Sequence, residues 1–286
     1  MTAVSGREAP ERVPRERVDS GRVRAEQVHS EQVDSEQLHE VLAGNRYPGR
    51  GVLWARTLDG SWCAGYFLTG RSAASRARSL HRDSGASTGG VSELTVAPTS
   101  ASDHDPLRHY AAVRERQDGW LVYGNGEQVA EVAELLDAGR TPAEAMAGLA
   151  YEPDPPIFTP RITVAVDLRP EGRADAAAGA DAGPVAWFGA ARRSRGGRTA
   201  PDLLTLAVRG LAPGDAVLIT TYRSDGQRVE TGEPFVEART GAADAGALLE
   251  EVWGALAAEY RVAATVFEPG RLVAGLVRHR ADTVAG

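Results

Sequence analysis

Four arginines between positions 50 and 78 are the residues best placed to bind an anion. Arg50 closes a Tyr-Pro-Gly turn and Arg71 follows a glycine in a second turn, while Arg76 and Arg78 come shortly afterwards. A guanidinium group stays charged and presents a planar set of donors, which suits phosphate or another polyanion. Solvated surface arginines are the alternative interpretation. Their clustering at the turns that bracket one hairpin favours a binding site.

Two further polar residues begin or end predicted elements. Tyr110 begins a predicted strand, where its hydroxyl group could donate a hydrogen bond to a substrate or could pack at a sheet edge. Asn125 precedes a predicted helix, and the free N–H groups of a helix start can hold a ligand oxygen. Taken alone, the Asn-Gly dipeptide is only a turn signal.

The loop YEPDPPIFTPRI, residues 151–162, carries two carboxylates and an arginine. Its four prolines stiffen the backbone, as is useful where side chains must be presented accurately. Glu152 and Asp154 are both candidates for proton transfer, and the sequence does not choose between them. Arg161 lies where the loop enters a predicted strand. A proline-rich connector with solvated acids is the alternative.

Several kinds of chemistry are excluded by residues that the sequence lacks. All 32 cationic residues are arginines, so Schiff-base chemistry and a phosphate-binding lysine are ruled out. The histidines show no paired metal-ligand spacing. Cys63 is the single cysteine, which excludes an internal disulfide, and its apolar strand pattern predicts a core position. We therefore expect no metal.

Charge and hydropathy narrow the possible partners and the compartment. A net charge of -7 and a pI near 5.5 argue against a nucleic-acid-binding protein. No apolar run approaches the ~18 residues of a membrane span. The charged N-terminus has no apolar core of a secretory signal. These features predict a cytoplasmic protein that binds neither nucleic acid nor membranes.

The pattern of predicted elements is rich in strands. Helices are predicted over 127–138, 141–149 and 243–259, the second with a capping box at its start. Flexible insertions are predicted at 83–104 and 170–183. Strands are predicted over 52–56, 62–68, 110–116, 120–124, 162–168, 185–191, 203–208, 216–222 and 262–267, with Asp-Gly turns after positions 58, 117 and 224. Many strands and no βαβ alternation predict an α+β layer fold.

The N-terminal residues 1–36 form a segment of their own. An aliphatic residue recurs there every fifth position in a polar background, a period that fits neither a helix nor a strand. We predict a disordered, low-complexity extension because its apolar content is so low. A pentapeptide solenoid, the alternative, would need more turns and a stricter pattern. The folded domain is predicted to span residues 37–286.

Seven motifs, read in order, carry a family resemblance; the last of them is GEP, residues 232–234. The segments NRYPGRG, GYFLTGRSAASRAR, YAAVRE, YGNGEQ, YEPDPPIFTPRI, ITTYRSDG and GEP resemble the stand-alone inosine monophosphate cyclohydrolase family, the archaeal type with bacterial homologues. The resemblance covers roughly residues 37–267. It implies a four-layer αββα sandwich, similar to that of N-terminal-nucleophile hydrolases but without a processed nucleophile.

The resemblance also implies a reaction. Family members close the purine ring of formamidoimidazole-carboxamide ribotide to give inosine monophosphate, with loss of water. The substrate is then a small nucleotide, no metal or organic cofactor is required, and similar members suggest a homo-oligomer. Because both reacting groups lie on one molecule, much of the catalysis would come from orienting them.

Site residues are assigned by position within the matching motifs. Arg76 matches the family's active-site arginine and, with Tyr110, is expected to polarise the formyl oxygen. Glu152 matches the acidic residue ahead of TPRI and is expected to transfer protons. Nucleotide and phosphate contacts are expected from Arg50, Arg71, Asn125 and Arg161.

The chain departs from the family pattern at several polar positions. Ala74 and Ala77 replace polar residues of GRSxNSRNR, NGDQTD becomes NGEQVA, and the stretch before GEP is reduced to GQRVET. These changes leave the substrate open. A specialised nucleoside or amide metabolite, or nucleotide binding without catalysis, are the alternatives.

Overall fold

The computed structural model of the protein describes residues 35–82, 90–100, 107–169, 183–194 and 197–283. Residues 1–34 of the predicted N-terminal extension lie outside these ranges. Most of the two predicted insertions, 83–104 and 170–183, also falls outside them. The predictions of disorder and flexibility for those residues therefore stay predictions.

Strands dominate the described ranges. The fifteen strands there are β1 (Arg50–Arg56), β2 (Trp62–Thr69), β3 (Arg78–Arg82), β4 (Val91–Pro98), β5 (Tyr110–Arg116), β6 (Trp120–Gly124), β7 (Arg161–Asp167), β8 (Ala186–Arg192), β9 (Asp202–Val208), β10 (Asp215–Thr220), β11 (Tyr222–Ser224), β12 (Val229–Thr231), β13 (Val236–Arg239), β14 (Arg261–Phe267) and β15 (Leu276–His279). The α-helices are α1 (Leu38–Gly44), α2 (Ala73–Arg76), α3 (Gln128–Asp137), α4 (Pro142–Met146) and α5 (Ala245–Ala255).

The strands form two large antiparallel sheets and one small hairpin. The first sheet has the order β13-β10-β1-β2-β14-β15, and the second runs β3 to β9 in chain order. Strands β11 and β12 pair only with each other. The second sheet is a meander because each of its strands pairs with the next one along the chain.

The two sheets pack face to face over the largest hydrophobic cluster. Alternation along β1 shows how the sequence achieves this. Val52 and Trp54 point into the cluster shared with the second sheet, whereas Leu53 and Ala55 point to the opposite face. Tyr123 of the second sheet crosses the interface and donates a hydrogen bond to the Leu53 carbonyl at 2.8 Å.

Short helices lie against the outer faces. Helices α1 and α5 share a cluster with the first sheet through Leu38 and Leu248. Helices α3 and α4 pack on the second sheet through Val129 and Met146. The predicted capping box at the start of α4 is present, with the Thr141 hydroxyl accepting from the backbone of the third helical residue at 3.3 Å.

The expected four-layer αββα sandwich is wrong. The described part of the chain is mostly antiparallel β-structure, fifteen strands in three sheets, with few helices of 4 to 11 residues. Such short helices do not build continuous outer layers. Strands also form where sequence reasoning expected none: β4 lies inside the predicted insertion 83–104, and β3, β12, β13 and β15 were not predicted. The fold is an antiparallel β-sandwich carrying short helices.

Other local predictions are confirmed. The three predicted helices form within a few residues of their expected bounds. Gly60 and Gly226 adopt φ values of +87° and +98° in the predicted turns. Cys63 is fully buried, and burial raises the pKa of its thiol to about 12, which fits a core residue. Within the described ranges, no helix is both long and apolar enough to cross a membrane.

Candidate active site

The predicted site residues gather at the ends of neighbouring strands. Arg50 begins β1 and pairs with Leu68 near the end of β2, and Arg71 lies two residues after that end. In the second sheet, Tyr110 begins β5, Asn125 follows β6 and Arg161 begins β7. Because β1 and β2, β5 and β6, and β6 and β7 are antiparallel pairs, the start of one strand lies beside the end of its partner. Sequence positions far apart thus reach the same end of each sheet.

The turn before β1 fixes the direction of Arg50. Gly49 has a φ of +74°, and a Cβ atom there would lie 2.2 Å from the Thr221 hydroxyl oxygen. That hydroxyl accepts a hydrogen bond from the Arg50 amide at 3.1 Å. The Gly49 carbonyl in turn accepts from the Thr69 amide at 2.7 Å. Only glycine fits this close approach, which clamps the turn between β2 and β10.

The turn after β2 directs a second arginine inward. A Cβ atom on Gly70 would lie 2.6 Å from the backbone of Ser75, so the chain can fold back only with glycine here. Arg78 donates from Nε to the Ser75 carbonyl at 2.8 Å and from Nη2 to the Thr69 carbonyl at 3.2 Å. Its side chain is therefore buried and bonded to backbone oxygens.

The proline-rich loop is tied to itself and to β11. The Glu152 amide donates to the Thr159 carbonyl at 2.9 Å. The Asp154 carboxylate accepts from the Thr159 amide at 2.7 Å and from the Thr159 hydroxyl at 2.5 Å. That hydroxyl also bonds the Tyr222 hydroxyl. Both oxygens of Asp154 are thus engaged within the loop, while the Glu152 side chain points elsewhere.

Glu152 contacts two other predicted site residues. Arg50 Nη2 lies 3.3 Å from Glu152 Oε2, and Asn125 Nδ2 donates to Glu152 Oε1 at 3.1 Å. The side chain of Glu152 is 3% exposed and that of Arg50 is 11% exposed. This acid–arginine pair is therefore shielded from water and links the first sheet to the loop that leads into β7 of the second sheet.

The Asn125 amide is held in one orientation. Its nitrogen also donates to the Pro160 carbonyl at 2.9 Å, and its oxygen accepts from the Ile162 amide at 2.7 Å. Gln128 lies beside it and accepts a hydrogen bond from Arg161 Nη1 at 3.2 Å. Arg161 thus joins the site through its hydrogen bond to Gln128, and its charge also acts to lower the pKa of Glu152.

Tyr110 faces the same region from the inter-sheet core. Its hydroxyl lies 2.8 Å from the Tyr66 hydroxyl, and both tyrosines are buried. Both hydroxyls interact electrostatically with the Arg50 guanidinium. The arrangement places a phenol pair, a guanidinium and a carboxylate around one buried region.

Burial and charge act on this cluster in opposite directions. Burial raises the pKa of Glu152, and the charge of Arg50 only partly offsets that rise. Burial alone would lower the pKa of Arg50, but the Glu152 carboxylate and nearby tyrosines hold it well above its ordinary value. Burial, and then the charge of Arg50, lower the pKa of Arg78.

The remaining predicted residues lie around this cluster. Arg71 sits over the Tyr47 ring, 4.8 Å from its centroid, and Tyr47 stacks on Tyr222 at 5.9 Å. Arg71 also lines a cavity of about 300 Å³, together with Arg193 and Tyr222. Arg76 lines a different cavity, and its guanidinium makes no hydrogen bond or ion pair with the described residues. The structure thus places Arg76 beside a cavity that Arg78 also lines, and not among the contacts of Glu152.

Some participants were missed by sequence reasoning. Thr159 and Tyr222 tie the loop to β11, and Tyr66 contacts Tyr110, yet none of the three was proposed. Thr159 and Tyr222 do lie inside the motifs YEPDPPIFTPRI and ITTYRSDG, which was an available signal. Arg78 belonged to the arginine cluster but was not assigned a role. Within the described ranges, no group of three or more His, Cys, Asp or Glu side chains could hold a metal ion.

Two of the departures from the family pattern fall outside the contact network. Val129, where the pattern has threonine, is fully buried in the hydrophobic cluster beneath α3. Ala74 is exposed on α2. Neither change removes a hydrogen bond from the acid–arginine pair.

The sequence matches a known protein family over most of its length. The sequence model of the family described as IMP cyclohydrolase-like protein matches residues 47–269 of this chain. The protein belongs to the IMP cyclohydrolase-like family, and that membership supports a cyclohydrolase role. No curated protein matches the chain at a significant level.

Proposed function

We propose that the protein closes the purine ring of formamidoimidazole-carboxamide ribotide, with loss of water, to give inosine monophosphate. The observation that carries this proposal is the buried contact of Glu152 with Arg50 and Asn125. Family membership supports cyclohydrolase chemistry in general. The substrate and the dehydrative direction are the parts that we add.

Ring closure needs a group that both takes and gives a proton. The carboxamide nitrogen attacks the formyl carbon, a C–N bond forms, and the former formyl oxygen leaves as water. One proton of that water comes from the carboxamide nitrogen and the other from the formamide nitrogen. Glu152 suits this relay because burial raises its pKa toward neutrality, where a carboxyl group exchanges protons most effectively. Asp154 suits it less because both its oxygens are bonded to Thr159.

The attack also builds negative charge on the former formyl oxygen. In our proposal the Tyr110 hydroxyl, oriented by Tyr66, donates to that oxygen. Arg50 Nε is buried and has no hydrogen-bond partner among the described residues, so it offers a second donor. Arg76 remains a further candidate donor on the strength of its motif.

The nucleotide phosphate requires cations outside the reacting centre. The cavity of about 300 Å³ offers Arg71 and Arg193, beside the Tyr222 ring that borders the acid–arginine pair. We propose that Arg71 contacts the phosphate, and that Asn125 and Arg161 orient the base and ribose. A small nucleotide in the cytoplasm is the expected substrate, and a homo-oligomer is the expected assembly.

Incubation with the formylated ribotide tests the proposal. The wild-type protein is expected to convert the ribotide to inosine monophosphate. The absorbance of the closed purine measures this conversion. Calorimetry with inosine monophosphate provides the second measurement. Binding of the product without any conversion would replace the proposal with a non-catalytic nucleotide-binding protein. If the protein neither binds inosine monophosphate nor converts the ribotide, another amide or nucleoside is favoured as the substrate.

A further inference from the structure

Strand β9 forms an open edge of the second sheet. It is the last strand in the order of that sheet, and among the described residues no strand pairs with its outer side. Its seven residues span about 24 Å at the rise of an antiparallel strand. The backbone N–H and C=O groups that point away from β8 therefore have no strand partner in the described part of the chain.

The side chains of β9 are mostly apolar. Residues 203–208 have the sequence Leu-Leu-Thr-Leu-Ala-Val and carry no charge. The inner face of the strand bears Leu204, Leu206 and Val208, which pack against the largest hydrophobic cluster but remain partly exposed. On the opposite face, Leu203 is 48% exposed. Both faces of the strand therefore leave apolar surface in contact with water.

The other edges of the two large sheets are shorter and charged. Strands β13 and β15 have four residues each, and β3 has five. Glu237 and Arg239 lie in β13, Arg278 lies in β15 and Arg82 lies in β3. Short edge strands and charged side chains prevent pairing with a strand of another molecule. Of the four edges in the described ranges, β9 is thus the one without such protection.

The sequence of β9 is complementary to itself. In an antiparallel pair of two β9 strands centred on Thr205, this residue faces its own copy. Leu204 then faces the partner's Leu206, and the large Leu203 faces the small Ala207 of the partner subunit. Residues that face each other point to the same side of the sheet, as antiparallel pairing requires. All seven residues of the strand pair in this register.

The charges at the two ends of β9 favour this antiparallel orientation. Asp202 begins the strand and Arg209 follows its last residue. Within one chain, Asp202 forms an ion pair with Arg198 at 2.6 Å. Antiparallel pairing places each Asp202 at the end of the partner strand that leads into Arg209. Parallel pairing would instead set the two Asp202 carboxylates side by side, and like charges in that position are destabilising.

We propose that two copies of this chain associate through β9, around a two-fold axis that passes beside Thr205. The two seven-stranded sheets then join into one continuous sheet. Backbone hydrogen bonds between the edges hold the copies together, and the leucines of both strands cover one another. The proposal gives the expected homo-oligomer a defined surface. It concerns assembly alone and does not depend on the proposed ring closure.

Two charge variants of Thr205 test this interface, with sedimentation velocity over a dilution series as the measurement. Thr205 is exposed in the single chain, so a charged side chain there leaves the fold intact. Thr205→Lys places two like charges directly opposite each other and is expected to raise the dimer dissociation constant at least about tenfold. Thr205→Glu is expected to do the same. An equimolar mixture of the two variants should restore the dimer, because opposite charges then face each other.

Leu276→Lys is the matched control. Leu276 lies in the edge strand β15 and is 43% exposed, close to the exposure of Leu203. A lysine at this second edge should leave the dimer dissociation constant within about twofold of the wild type. Hydrogen exchange of residues 202–208 gives a measurement that needs no variant. Exchange should be slow in the wild-type dimer and faster after dilution to the monomer.

Several outcomes would overturn the proposal. A wild-type protein that sediments as a monomer at every concentration is the first. A dimer that is equally stable in Thr205→Lys and Leu276→Lys would show that another surface holds the copies together. Circular dichroism checks that the variants are folded; if they are not, hydrogen exchange of residues 202–208 that dilution leaves unchanged would overturn the proposal. A protein that fails to close the ring can still give the expected sedimentation, so the two proposals fail separately.

Discussion

Two buried arginines, Arg50 and Arg78, lie in regions with opposite charge balance. Arg50 faces the Glu152 carboxylate, and its pKa stands well above the ordinary value. Arg78 bonds only backbone carbonyls, and burial lowers its pKa. Burial penalises both charges, so the partner decides the outcome. The comparison teaches that a carboxylate partner holds a buried guanidinium group in its charged form, whereas backbone carbonyls alone do not offset the cost of burying Arg78.

The largest expected effect comes from removing the proton-transfer group of the balanced region. Glu152→Gln is expected to lower the rate of ring closure by about a hundredfold to ten-thousandfold, the usual contribution of a general acid–base. Affinity for inosine monophosphate should change only a few-fold, because the amide keeps the size of the side chain. Steady-state absorbance and calorimetry measure the two quantities.

A matched control exists for this substitution. Glu115 is also buried with a pKa raised by burial, but it accepts from the Gly270 and Leu272 amides at 2.8 and 2.9 Å. Glu115→Gln should keep the wild-type turnover per folded molecule. Equal turnover in Glu152→Gln and the wild type would remove Glu152 from the mechanism.

Breaking the charge balance of the pair should cost stability. Arg50→Met leaves the buried Glu152 carboxylate without its cation and is expected to lower the unfolding free energy by about 3–5 kcal/mol. The double variant Arg50→Met/Glu152→Gln removes both charges and should recover most of that loss. Urea denaturation checks both values. A double variant as unstable as the single one would argue against a charge imbalance.

Loosening the loop that carries Glu152 should have a smaller effect on turnover and stability than changing Glu152 or Arg50. Thr159→Val removes the hydroxyl that bonds Asp154 and Tyr222, and it is expected to cost about 1–3 kcal/mol of stability. Turnover should fall about tenfold through misplacement of Glu152. Thr57→Val is the control, since Thr57 makes a similar bond to Asp59 at 2.6 Å in the turn at the far end of β1. A turnover loss of the same size in both variants would refute a positioning role.

Stability should also depend on pH through Glu152. Its pKa is raised on folding, so between about pH 4.3 and the raised folded value the native state binds more protons than the unfolded state. The stability that Glu152 contributes is therefore complete below that window and is lost as pH rises through it. Urea denaturation across this pH window should show that the unfolding free energy declines more steeply with pH for the wild type than for Glu152→Gln. Parallel curves would contradict the raised pKa.

The smallest effect is expected from deleting residues 1–34. The described domain begins just after them, where the Glu36 carbonyl accepts from the Arg239 amide at 2.9 Å. The shortened protein should keep its turnover, and its unfolding free energy should change by less than about 0.5 kcal/mol. Loss of the unfolding transition or of activity would show that this N-terminal segment, with its aliphatic residue at every fifth position, is needed for the folded structure.

Much of the β-structure followed from the sequence because its signals are local. The hairpin of β1 and β2 combines a buried apolar pattern with an Asp-Gly turn, and both strands form where expected. Strand β4 was missed because its polar neighbours indicated an insertion, although Leu94 and Val96 are buried. The edge strands β13 and β15 were missed because each has only four residues, the shortest run over which alternation can be recognised.

The site was predictable as a set of residues but not as a geometry. Motifs identified Arg50, Asn125 and Glu152, yet the contact of Arg50 with Glu152 spans 102 positions and joins two sheets. The burial of Arg78 depends on how the chain folds back at Gly70, which only the tertiary structure determines. The layer architecture likewise depends on how much of each sheet the helices cover. The family resemblance implied two continuous helical layers, more coverage than the short helices provide.

A crystal structure with bound inosine monophosphate tests the central claim most directly. The former formyl carbon, at C2 of the purine ring, is expected within about 4 Å of both the Glu152 carboxylate and the Tyr110 hydroxyl, the distance that proton transfer and hydrogen bonding require. A purine ring bound elsewhere, with the acid–arginine pair still closed on itself, would contradict the claim.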